Sequence, residues 1–114
     1  MIYLASPYSH EDPLIVKTRF LLVEQCTAAL IKQGHLVWSP IVHCHEMASR
    51  HGMPTDAEFW KLYNFDFIRR ADGLFLLTIA GWKESKGVKM ELDLAASLFM
   101  NISYVTPEGA FVQP

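Results

Sequence analysis

Little in this 114-residue chain points to a membrane, a nucleic acid or a disulfide scaffold. The longest apolar stretch, GLFLLTIAGW from Gly73 to Trp82, is about half the length a spanning helix needs. The N-terminus, MIYLASPYSHEDP, lacks the positive start of a signal peptide and meets proline and acids early. Ten Lys and Arg against twelve Asp and Glu leave a formal charge of −2. No basic run occurs, so neither nucleic acid nor an anionic membrane is expected as a partner. The two cysteines, Cys26 and Cys44, build no framework and suit a reducing compartment, so a cytoplasmic protein is expected. Phosphate-loop signatures are missing too, with neither GxGxxG after the first apolar run nor GxxxxGK[ST] anywhere. Hydride transfer to a dinucleotide and NTP hydrolysis are therefore poorly supported, and no cofactor is expected.

What the chain does contain is a globular balance, 51% apolar and 19% charged, without repeats, linkers or low-complexity segments. One domain over 1–114 is expected. Ile2–Ala5 reads as a strand, and Asp12-Pro13 supplies an N-cap and first-turn proline for a helix to Gln33, stopped by Gly34. His35–Ser39 reads as a second strand ended by Pro40, and Ile41–His51 as a short helix or loop. Thr55-Asp56-Ala57-Glu58 fits a capping box that opens a helix to about Arg70. Gly73–Ile79, wholly apolar, reads as a central parallel strand, followed by a helix over Ser85–Met100 and a strand over Ile102–Val105. The tail PEGAFVQP is compatible with a short edge strand.

Such alternation predicts an α/β fold, a parallel sheet with helices on both faces. Ligands of such sheets bind beyond the carboxyl ends of the strands, which selects Ser6–Glu11, Ser39–His45 and Ala80–Gly87 as the rim. The Asp56–Arg70 helix is apolar nearly all round, with Phe59, Trp60, Leu62, Tyr63, Phe65, Phe67 and Ile68. One sheet face cannot bury so many directions, so a homo-oligomer, dimer or tetramer, is expected.

Two acids sit where helices should show apolar side chains. Val88, Leu92, Ala95 and Phe99 define a stripe, and Glu91 lies three residues after Val88 and four before Ala95. Glu91 is either a border residue paired with Lys86 or Lys89, or a desolvated carboxylate fit to be a nucleophile or base. Asp66 repeats the pattern, seven, four and three residues after Phe59, Leu62 and Tyr63. It is either an intrahelical partner of Arg69 or Arg70, or the second acid of a pair. Two acids flanking one pocket are the usual equipment for cleaving a glycosidic bond. Tyr3 is either a core tyrosine or a hydroxyl turned to the rim, and Trp82 either stacks on a planar base or covers the core. His43-Cys44-His45-Glu46 with His51 does not meet the HExxH spacing, and no metal is expected. A histidine of this segment, His43, is the candidate for a binding-loop role.

Taken together, Tyr3 in IYLASP, Asp66 in YNFDFIRRAD and the run SKGVKMEL from Ser85 to Leu92 resemble the signature of the nucleoside 2-deoxyribosyltransferase superfamily. Nearly the whole chain is similar to a small bacterial and phage group within it that begins MIYLASPYS and carries GHxVxSPI and PTDxxFW patterns. The resemblance implies a flavodoxin-like or Rossmann-like three-layer sandwich with a four- to five-stranded parallel sheet. It also implies that Glu91 attacks the anomeric carbon of a 2-deoxyribosyl group and forms a covalent glycosyl-enzyme. Asp66 would protonate or hydrogen-bond the departing base, and Tyr3 would orient Glu91. Water or a second base would complete hydrolysis or transfer.

Transferases of free nucleosides carry an aspartate six residues before the nucleophile, whereas the 2′-deoxynucleoside 5′-phosphate N-hydrolases carry a serine that serves a phosphate site. Ser85 stands at that spacing, and a serine at a helix N-terminus followed by Gly87 suits an anion on physical grounds as well. Those hydrolases have a longer loop after the first strand; the loop here is Ser6-Pro7-Tyr8-Ser9, with Ser6 as the candidate contact. The expected ligand is a small nucleotide or nucleoside and the expected reaction N-glycoside cleavage. Base exchange and nucleotide binding without turnover are the alternatives.

Overall fold

The computed structural model describes residues 1–114 and contains five strands and four helices. In chain order these are β1 (Ile2–Ala5), α1 (Pro13–Lys32), β2 (Val37–Trp38), α2 (Pro40–Arg50), α3 (Ala57–Arg70), β3 (Gly73–Leu77), α4 (Lys86–Ser97), β4 (Ile102–Val105) and β5 (Phe111–Val112). Each helix begins at a side chain that satisfies an otherwise orphan backbone N–H. Asp12 accepts from Leu14, Ser39 from Val42, Asp56 from Phe59 and Ser85 from Val88.

The strands form one sheet in the order β2-β1-β3-β4-β5. Pairing is parallel from β2 through β4, and β5 joins β4 antiparallel. The expectation of a purely parallel sheet is therefore corrected: the sheet is mixed. The cause is local, because Thr106–Gly109 makes a tight turn that returns the chain directly alongside β4, with Gly109 N–H donating to Thr106 O at 2.9 Å. A parallel partner would have needed a crossover of a dozen or more residues.

Period-two alternation divides the core into two layers across the sheet. Leu4, Phe75 and Leu77 face α1, where Phe20, Val23, Cys26 and Leu30 meet them, and Ile41 at the start of α2 closes that side. Tyr3, Ala5, Leu74 and Leu76 face the other way, against Ile68 of α3 and Val88 and Ala95 of α4. The result is a three-layer α/β arrangement.

Four boundaries differ from the sequence reading. The capping box expected from Thr55 to Glu58 does not form, because Asp56 rather than Thr55 caps α3. The second strand shrinks to Val37–Trp38, because Ser39 and Pro40 are the N-cap and first residue of α2 rather than the end of a strand. The third strand stops at Leu77, two residues short of Ile79. The fourth helix ends at Ser97, and Phe99 beyond it adopts a left-handed φ of 55° with 95% exposure, so it does not continue the apolar stripe. No helix is long and apolar enough to cross a membrane.

Chain order also places a crevice. From β1 the chain moves to β2 on one side, then crosses back to β3 on the other. Loops leaving β1 and β3 therefore diverge at their carboxyl ends, the usual place for a ligand.

The fully buried Leu76 is predicted to be a stability determinant: Leu76→Ala should lower the unfolding free energy by about 2–5 kcal/mol. Leu14→Ala, at a position 75% exposed, should change it by less than about 0.5 kcal/mol. Urea denaturation of the two variants checks the contrast.

Candidate functional site

A cleft of about 590 Å³ opens over this crevice. The β1–α1 loop lines it with Ser6, Tyr8, Ser9 and His10, and the β3–α4 loop with Gly81, Glu84 and Ser85. Helix α2 supplies Ile41, Cys44, His45 and Ala48, α3 supplies Trp60, Lys61, Asn64 and Phe65, and α4 supplies Gly87, Met90 and Glu91.

Glu91 is the buried acid of this cleft, 8% exposed. Helical spacing explains its position: the buried residues of α4 are Val88, Glu91 and Ala95, so Glu91 occupies the middle of the face that packs on the sheet. Neither lysine considered as its partner reaches it. Lys86 pairs with Glu58 at 3.2 Å and Lys89 with Asp93 at 3.4 Å, both in solvent. Two neutral donors hold Glu91 instead. The Tyr3 hydroxyl donates to Oε2, and Asn64 Nδ2 donates to the same oxygen at 3.3 Å. Oε1 receives no hydrogen bond from the chain.

Burial raises the pKa of Glu91 to about 7, against the opposing pull of the hydrogen bonds from Tyr3 and Asn64. Tyr3 is itself fully buried, and its hydroxyl is pushed well above its ordinary value by burial and by the carboxylate beside it. Tyr3 therefore stays a hydrogen-bond donor.

Of the residues singled out in the sequence, the structure brings Tyr3, Ser6, Ser85, Gly87 and Glu91 together at or under the cleft. Ser85 lines it while its Oγ caps α4, accepting from Val88 N–H at 3.2 Å. Ser6 is buried, and its Oγ has no hydrogen-bond partner. Gly87 packs its Cα edge near Ala57, where a Cβ would approach the Ala57 methyl at 3.4 Å.

Asp66, Trp82 and His43 lie elsewhere. Asp66 is on the solvent face of α3, paired with Arg69 at 3.4 Å, and does not line the cleft. The reason is helical phase: Ile68 is the buried residue of α3, and Asn64, one turn earlier, shares its side. Asp66 lies two residues from each, which is about 200° around the helix. Trp82 packs on the apolar layer of Tyr3 and Leu74, with Tyr104 6.0 Å away, and does not line the cleft. His43 is drawn away by stacking on Trp38 at 3.9 Å, with its Nδ1 2.7 Å from Ser39 O. Because the segment 43–46 is helical, His45 turns the opposite way, into the cleft.

Several cleft residues escaped the sequence reading. The Tyr8 hydroxyl bonds His45 Nδ1, and the His45 ring stacks on Phe20 at 4.2 Å. Burial raises the pKa of Tyr8 and lowers that of His45. Arg19 of α1 crosses to the cleft, where its Nη1 donates to Ser9 O at 2.8 Å and it makes no ion pair. Gly81 lies against this guanidinium and has a φ of 93°, a backbone conformation that a side chain would strain. Asn64 Oδ1, like Ser6 Oγ, is buried without a partner. The asparagine had a usable signal, since position 64 lies four residues before Ile68 on the helix's inward face.

Fold and cleft thus define a small three-layer α/β protein with a ligand-sized crevice at its strand ends and one buried carboxyl inside it. The chain belongs to the family described as a domain of unknown function, DUF1937, whose model matches residues 1–106. No curated protein shows a significant match to the chain.

The raised pKa of Glu91 makes a stability prediction. Between about pH 4.5 and 7 the folded state keeps the proton that the unfolded chain has released, so stability falls as pH rises across that window. The span corresponds to up to about 3 kcal/mol. Glu91→Gln should remove that slope, which denaturant unfolding at pH 5 and pH 8 measures. An unchanged slope would place the titration elsewhere.

Proposed function

We propose that this protein is an N-glycosidase acting on nucleoside or deoxynucleoside 5′-monophosphates, or on modified nucleotides, by double displacement at Glu91. The observation that carries the reading is the buried Glu91 carboxyl in the cleft, with Oε2 held by Tyr3 and Asn64 and Oε1 left without a partner. A carboxylate so placed is oriented and poorly solvated, as a nucleophile toward an anomeric carbon needs to be. The resemblance of the IYLASP and SKGVKMEL segments to the nucleoside 2-deoxyribosyltransferase superfamily supports the same reading, as does the strand order, which is that of a flavodoxin-like sheet.

An anionic group on the ligand has a place to go. Arg19, without a carboxylate partner, and the N-terminus of α4 behind Ser85 both line the cleft. The orphan Ser6 Oγ adds a donor. A phosphate there would leave the glycosidic carbon to Glu91.

On this mechanism only ionised Glu91 attacks, so kcat/KM should rise with pH and level off above about 7. Base release from a panel of nucleoside monophosphates is the direct test. Wild type should release base, and Glu91→Ala should lose about 10³-fold or more. If neither differs from buffer across the panel, the catalytic reading is wrong. Base exchange on adding a free base would indicate a transferase. Saturable nucleotide binding without product would indicate a binding module, a reading favoured by the amide rather than a second acid beside Glu91.

The exposed Phe59, Leu62 and Tyr63 of α3 support self-association through that helix. Light scattering should give a dimer or larger species, and a strict monomer would contradict it. The two free cysteines fit a cytoplasmic setting.

A further inference from the structure

If Glu91 is a glycosidic nucleophile, the departing base needs somewhere to put the electron pair of the broken bond. A neutral purine or pyrimidine normally requires a proton from a positioned acid, the second carboxyl of a glycosidase pair. In this cleft the group beside Glu91 is Asn64, a carboxamide, and Asp66 faces solvent in an ion pair with Arg69. An amide cannot deliver that proton.

No other side chain of the cleft is hydrogen-bonded to Glu91 beside Tyr3 and Asn64. His10 lines the cleft from the β1–α1 loop, exposed, with its Nδ1 accepting from Asp12 N–H at 2.9 Å, and Lys86 is paired with Glu58. Asp56 is exposed, and its carboxylate caps α3, accepting from Phe59 N–H at 3.1 Å. Glu84 is an exposed residue of the β3–α4 loop. The Tyr8 hydroxyl is committed to His45, whose ring is pinned on Phe20. Burial makes Tyr8 a weaker acid and disfavours the charged form of His45.

Away from Arg19 and the α4 N-terminus, two features of the wall near Glu91 suit a positive charge. Asn64 Oδ1 is a buried acceptor without a partner, one amide bond away from the nitrogen that holds Glu91. Trp60 lines the same wall, fixed by its indole N–H donating to Pro54 O at 2.8 Å, and presents an aromatic surface of the kind that attracts cations.

We infer that the substrates are nucleotides whose base is already cationic at the glycosidic bond, such as a pyridinium or an N-alkylated purinium; this rests on the glycosidase reading above. The chemistry then balances without an acid. An Oε1 lone pair of Glu91 forms the bond to C1′ while the C1′–N bond breaks. Its electron pair neutralises the ring cation, and the base leaves uncharged. Water then attacks C1′, the C1′–Oε1 bond returns its pair to the carboxylate, and the water proton passes to solvent.

The test compares 7-methylguanosine 5′-monophosphate with guanosine 5′-monophosphate, and nicotinamide mononucleotide with its dihydro form, using the wild-type protein. Dividing each rate by the rate in buffer removes the intrinsic reactivity of the cationic member. With an acid in the site this quotient would be about 10²–10⁴ larger for the neutral members. The inference predicts a quotient at least as large for the cationic members and, for nicotinamide mononucleotide, whose pyridinium charge does not titrate, a pH profile that rises through Glu91 without an alkaline fall. Asn64→Asp should raise the neutral-member quotient about tenfold or more and introduce that alkaline fall. A larger quotient for neutral members in wild type overturns the inference and leaves the glycosidase reading standing. No release from any member, with Glu91→Ala indistinguishable from wild type, overturns both.

Discussion

The contact between the Tyr3 hydroxyl and the Glu91 carboxyl is the constraint around which the rest of the cleft is arranged. Tyr3 belongs to β1, which pairs with β2 on one side and β3 on the other, so its backbone cannot shift without disturbing the sheet. Its side chain is buried among Leu74, Leu76, Val88 and Ala95, which leaves the hydroxyl as its one polar end. Helix α4 then has to place a partner above it, and the Val88–Glu91–Ala95 face does so. Helix α3 completes the arrangement with Asn64, one turn before the buried Ile68. Three elements from both ends of the chain thus meet at one carboxylate oxygen.

This arrangement is not what stability alone would select. A carboxyl in this position, served by neutral donors and no cation, is costly to ionise, which is why its pKa lies near 7. A leucine or methionine would fill the same helix position without that cost. Two of the three buried side-chain polar atoms without partners, Ser6 Oγ and Asn64 Oδ1, border the same cleft; the third, Trp38 Nε1, lies outside it. Concentration of unsatisfied and perturbed groups in one crevice is the pattern expected where a ligand completes the hydrogen bonding. Elsewhere, apart from the unpartnered Trp38 Nε1 and the Cys26 thiol that burial pushes up to about 11, the chain shows capped helices, two apolar layers and surface ion pairs worth little.

Much of this was legible in the sequence because it depends on local periodicity and capping. The first and fourth strands, the N-caps Asp12 and Ser85, and the misplaced Glu91 all follow from spacing within a dozen residues. What was not legible depends on choices that spacing leaves degenerate. On α3 the aromatic residues surround the helix, so apolar neighbours could not tell whether position 64 or 66 faces inward, and the acid drew attention over the amide. His43 and His45 differ only in helical phase, and the strand-like HLVWS hid the start of α2 at Ser39 and Pro40. Trp82 is next to the rim in sequence, but the apolar layer beneath it captures the indole. The β5 pairing depends on a four-residue turn whose return direction the parallel pattern of the rest did not suggest.

The chemistry of the cleft turns on the ionisation of one side chain, and carbon-detected NMR titration of the Glu91 carboxyl in the intact protein measures it directly. A midpoint near pH 7, moved by Tyr3→Phe, is the predicted result. A midpoint at or below the ordinary value of 4.5 would mean that Glu91 is solvated or paired with a cation, and would contradict the central claim.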